Sequence, residues 1–62
     1  MKKIKGIYNG YELNDGRKFR LAEIGNNNYK VGMMDKNGKW RMTEIRFSRV
    51  RDYKDYLKSL EE

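Results

Sequence analysis

Four clusters of Asn, Asp and Gly cut the front of this chain into short stretches: Asn9-Gly10, Asn14-Asp15-Gly16, Gly25-Asn26-Asn27-Asn28 and Asp35-Lys36-Asn37-Gly38. These residue types tolerate the positive φ that tight hairpin turns demand. The stretches between them are rich in β-branched and aromatic residues, a pattern that predicts a meander, a small barrel or a sandwich. Strands are expected at about 3–8, 10–13, 17–24, 29–35 and 39–47, the first two either separate or one bent strand. In the third, Phe19 and Leu21 share a face opposite Lys18 and Arg20; in the fourth, Tyr29, Val31 and Met33 oppose Lys30, Gly32 and Met34. The hairpin around Asp35–Gly38 is the best-defined local element.

The end of the chain follows a different period. Tyr53, Tyr56, Leu57 and Leu60 fall at i, i+3, i+4 and i+7, which predicts a helix over about 52–61. Asp52 suits its N-cap, and Asp55 adds an acid near the positive end. Ser48 offers an earlier cap that brings Val50 onto the same stripe. A helix of this length is marginal alone. Its tyrosine–leucine stripe must dock on the open side or mouth of the sheet, as core rather than ligand site.

At 62 residues the chain makes one domain, residues 1–62. Such a chain buries only about 60% of its unfolded surface, and with no cysteine it has no disulfide to compensate. Candidate core residues are Ile4, Ile7, Leu13, Phe19, Leu21, Ile24, Val31, Ile45, Phe47, Val50, Tyr53, Leu57 and Leu60. The absence of histidine and cysteine removes imidazole and thiolate chemistry and the commonest zinc ligands. No hydroxyl has a histidine base, no phosphate-loop glycine pattern occurs, and the Asp35–Gly38 turn lacks the remaining positions of a calcium loop. The expectation is a protein that is not an enzyme and takes no cofactor or metal. No apolar run reaches membrane-spanning length, and Met1–Gly6 begins like a signal peptide without the apolar segment that must follow. No membrane association and a cytoplasmic location are the default.

Charge is distributed unevenly. Residues 1–51 hold thirteen of the fifteen basic residues against five acids, a net +8, while residues 52–62 carry −2. The basic character therefore belongs to the sheet, which points to an anionic partner, most often nucleic acid, against the alternative of charge serving solubility alone. Four of the six arginines lie between 41 and 51, where only Glu44 offsets them; a solvated face is the plain alternative.

The run Lys39-Trp40-Arg41-Met42-Thr43-Glu44-Ile45-Arg46-Phe47 can be read two ways. With uninterrupted alternation, Ile45 and Phe47 face the core together with Arg41 and Thr43, and Trp40, Met42, Glu44 and Arg46 share the outer face. With one bulge near Thr43, Trp40 and Met42 turn inward. An exposed Trp beside Met and Arg suits nucleic acid, on which aromatics stack and apolar wedges insert.

Two resemblances bear on the fold. Asn28-Tyr29-Lys30-Val31-Gly32, followed by a turn and Ile45-Arg46-Phe47-Ser48-Arg49-Val50, resembles the WYL domain, an SH3-like barrel of bacterial transcription regulators; only Tyr29 matches its name-giving triplet, and no helix-turn-helix accompanies it. By that likeness Arg46 and Arg49 are the binding arginines. In layout, Val31–Glu62 with its Asn-Gly turn and closing helix is similar to small archaeal chromatin proteins. Both imply a mainly β fold: a small SH3-like barrel, or a strongly bent antiparallel sheet of four to five strands, with one C-terminal helix.

These readings converge on a non-catalytic nucleic-acid-binding protein, with DNA favoured over RNA. Lys18, Arg20, Lys30, Arg41, Arg46 and Arg49 are expected on phosphates, and Trp40 and Met42 on bases. The competing expectation is a small protein-interaction module, of the phage or mobile-element type that regulates or inhibits a host protein, using the same Trp, Met and Arg set as an interface hot spot. A monomer or weak dimer is expected; a homo-oligomer burying Trp40 between subunits is the third option.

Overall fold

A computed structural model describes residues 1–61. It is mainly β, with five antiparallel strands in one sheet and one C-terminal helix. The strands are β1 (Lys2–Lys3), β2 (Tyr11–Glu12), β3 (Lys18–Gly25), β4 (Asn28–Met34) and β5 (Trp40–Phe47), and α1 spans Val50–Leu60. Their order in the sheet is their order in the chain. The sheet is a meander with β1 and β5 at its two edges, in keeping with the expected mainly β fold of four to five antiparallel strands and one C-terminal helix. No helix is long and apolar enough to cross a membrane.

All four Asn/Asp/Gly clusters turn the chain. Asn9 and Asn27 have φ of 49° and 51°, and Gly16 and Gly38 have 94° and 81°. Aspartate side chains tighten two of these turns. Asp15 accepts the Arg17 N–H at 3.1 Å, and Asp35 accepts the Asn37 and Lys39 N–H groups at 2.9 and 3.0 Å. The first expected strand, 3–8, is corrected to two residues. Lys5-Gly6 forms a turn with Gly6 at φ 81°, a left-handed conformation that strand pairing cannot continue through.

One face of the sheet carries the helix. Leu13, Phe19, Leu21 and Val31 are buried against Tyr53 and Leu57, with Tyr11, Tyr29, Ile45, Phe47, Val50, Tyr56 and Leu60 packed around them. Each large apolar side chain so buried contributes about 1.5–3 kcal/mol. Tyr53 is central: its ring lies 6.4 Å from that of Tyr11 and 6.3 Å from that of Phe47, and its hydroxyl donates to the Asn9 carbonyl at 2.6 Å. Burial pushes the Tyr53 hydroxyl pKa well above that of an ordinary tyrosine.

Two details differ from the sequence reading. Ile24, an expected core residue, is exposed: Glu23 pairs with Tyr29 and Gly25 with Asn28, leaving Ile24 as the extra residue of a β-bulge. The helix begins at Val50 rather than Asp52, with extended Arg49 at its N-cap and no side-chain cap bond. Asp52 sits inside the first turn, where Arg49 binds it through Nε at 3.2 Å. The early start brings Val50 onto the core stripe.

Candidate functional site

The face away from the helix is settled by how β5 pairs with β4. Tyr29 pairs with Phe47 and Lys30 with Arg46, then Gly32 with Met42 and Met34 with Trp40. Between Lys30 and Gly32 lies one β4 residue, Val31. Between Arg46 and Met42 lie three of β5: Thr43, Glu44 and Ile45. The surplus is two residues, an even number, so the inward–outward alternation keeps its phase across the irregularity. A bulge does occur near Thr43, yet Trp40 and Met42 stay on the outer face.

Thr43 holds that irregularity together. Its hydroxyl donates to the Val31 carbonyl at 2.9 Å and accepts the Ile45 N–H at 3.1 Å. The side chain thus satisfies backbone groups that a regular ladder would have paired.

The outer face gathers Lys18 and Arg20 from β3, Lys30, Gly32 and Met34 from β4, and Trp40, Met42, Glu44 and Arg46 from β5. Arg20, Gly32 and Met42 form one cross-strand row. Gly32 is the saddle of that row: a Cβ there would lie 3.2 Å from both Arg20 Cγ and Met42 Sδ. With no side chain in the way, Arg20 lies flat across β4 and its guanidinium reaches 5.7 Å from the Trp40 ring centre. Arg20 Nε is buried there without a hydrogen-bond partner among the described residues. Leaving a donor unpaired costs about 1–3 kcal/mol, and a cation over a Trp ring returns about 0.5–2.

Of the eight expected site residues, the structure brings six together: Lys18, Arg20, Lys30, Trp40, Met42 and Arg46. Arg41 lies in the opposite phase, paired across with Met33, and its Nε bonds Asp35 at 2.9 Å. Arg49 lies on the β5–α1 link and binds Asp52. Gly32 and Met34, outside the expected set, join this face, as their alternation with Val31 and Met33 implies.

The arginines divide by location. Arg17 binds Asp15 at 2.7 Å, Arg41 binds Asp35 and Arg49 binds Asp52. Lys18, Arg20 and Arg46 on the outer face have no carboxylate within ion-pair distance among the described residues, nor does Arg51 on the helix. Lys30, itself mostly covered, reaches the exposed Glu44 carboxylate at 3.6 Å, a loose contact. Among the described residues no group of His, Cys, Asp and Glu is placed to hold a metal ion. Comparison with protein families, with curated proteins and with solved structures finds no match to this chain.

Proposed function

We propose that this protein binds nucleic acid without catalysis, through the helix-free face of its sheet. One observation carries the reading: the outer face places Lys18, Arg20 and Arg46, none with a carboxylate within ion-pair distance among the described residues, beside an apolar patch of Met34, Trp40 and Met42. Cations on such a surface neutralise phosphates, and the aromatic and thioether groups contact bases or sugars. The alignment of Arg20 on Trp40 keeps a guanidinium beside a stacking surface before any ligand arrives. Binding of this kind is dominated by the backbone, and its affinity falls steeply with salt. Three or four engaged cations give a log–log salt slope of about −3 to −4 on duplex DNA. DNA is the favoured polymer.

Trp40 is the only tryptophan and reports on its own surface. Titration with duplex DNA, single-stranded DNA and RNA at low and moderate salt, followed by Trp40 fluorescence and independently by anisotropy, tests the reading. Quenching with the expected slope supports it. An absence of binding to every polymer at low salt overturns it and directs attention to a protein partner.

A further inference from the structure

Arg46 belongs to two features at once. It closes one end of the outer face, and it also lines a solvent-open groove of about 300 Å³ with Asn27, Asn28, Phe47, Ser48 and Asp52. The groove lies between the β3–β4 turn and the β5–α1 link. Its volume stands at the lower end of the range for small-molecule pockets, enough for one planar heterocycle.

The chemistry of the walls is that of base recognition. Phe47 is half-buried and fixed by two neighbours, its ring 6.3 Å from Tyr53 and 5.5 Å from Tyr56. Each Asn carboxamide carries a donor and an acceptor side by side, and the Ser48 hydroxyl can serve as either. Asn27, Asn28, Ser48 and Arg46 direct no side-chain hydrogen bond at another described residue. Asp52 differs: both its oxygens accept from Arg49, at 3.2 and 3.4 Å, and this surface pair partly offsets its charge toward an incoming phosphate. The turn that carries the two asparagines is compact, with Asn27 at φ 51° between the paired residues Gly25 and Asn28.

We propose that this groove receives one unpaired base of a single-stranded nucleic acid, with the adjoining phosphate on Arg46. The proposal rests on the nucleic-acid reading and names its substrate class. A base inside a duplex spends its Watson–Crick edge on its partner, whereas an unpaired base presents that edge to carboxamides and its face to an aromatic ring. Because Arg46 is shared, the strand leaving the groove runs onto Lys30 and Arg20, so the outer face supplies affinity and the groove supplies base preference.

The test compares end-labelled homopolymer oligonucleotides of each base, a ribose homopolymer and a duplex of equal length, by anisotropy at one low salt concentration. The proteins are the parent chain, Asn28→Ala, Ser48→Ala and Arg20→Ala, each checked for folding by a thermal melt. The expected result is tighter binding of single strands than of duplex, with unequal affinities among the homopolymers. Asn28→Ala and Ser48→Ala weaken the preferred homopolymer roughly three- to tenfold, leave duplex binding unchanged and flatten the base preference; Arg20→Ala weakens every polymer alike. Ser48 is exposed and makes no side-chain hydrogen bond to the described residues, so its variant carries the test if Asn28→Ala melts early. Binding of all polymers with equal affinity, unaffected by Ser48→Ala, overturns the groove and leaves the nucleic-acid reading standing. Binding of none overturns both.

Discussion

Around the helix-covered side of the sheet, three aspartates are tied into local structure. Asp15 and Asp35 each bond a turn amide and an arginine, and Asp52 and Arg49 hold each other at the helix start. On the open side, Lys18, Arg20 and Arg46 have no carboxylate within ion-pair distance among the described residues, and Trp40 and Met42 share the face on the edge strand. The first set shapes turns and needs no ligand to explain it. The second has little structural use beyond the contact between Arg20 and Trp40, so a net positive charge alone understates how the cations are sorted.

The sharpest separation of the two sides comes from the core. Leu57 is fully buried, and Leu57→Ala is expected to cost about 2–5 kcal/mol, a large fraction of what so small a domain has. Urea denaturation followed by circular dichroism reads the loss directly. Thr43→Val attacks the join between the faces. It strips the Val31 carbonyl and the Ile45 N–H of their partner and should cost about 1–3 kcal/mol, with a change in Trp40 emission as β5 readjusts. An unaltered melt would mean that the hydroxyl does not hold the irregularity.

Trp40→Ala probes the open side alone. Affinity for nucleic acid should fall by about 1–3 kcal/mol, measured by anisotropy at fixed salt, while the melt changes less than in Leu57→Ala. A variant that loses stability as severely as Leu57→Ala would erase the distinction between the faces.

The smallest effect belongs to the turn carboxylates. The Lys39 backbone N–H first, and the Arg41 side chain second, hold the Asp35 carboxyl below its ordinary value of 3.8. A depressed folded value gives stability that is present above 3.8 and lost as pH falls through the folded value. Melts of Asp35→Asn and the parent chain should therefore differ above that pH and converge in stronger acid.

Much of the scaffold is legible in the sequence because its signals are local. The Asn and Gly clusters announce the turns through positive φ, and the Tyr53–Leu60 stripe announces the helix and the face it buries. The first strand misleads, since Ile4 and Ile7 look like strand residues while Gly6 breaks the pairing. Asp52 looks like a cap until the structure gives its carboxylate to Arg49. The outer face is only half legible. Alternation alone groups Trp40, Met42 and Arg46, but whether that alternation survives depends on the size of the irregularity at Thr43, which a hydrogen bond to the neighbouring strand holds. Arg41 and Arg49 show the same limit: a basic residue in the sequence carries no mark of the acid that will neutralise it.

The even surplus in β5 has a consequence for how this chain can drift in length. Losing or gaining two residues around Thr43 alters the bulge but returns Trp40 and Met42 to the same side. Losing or gaining one inverts the phase of the strand before it, turning Trp40 and Met42 to the inner side and Arg41 to the outer. Descendants of this chain should therefore differ in β5 by pairs of residues or not at all.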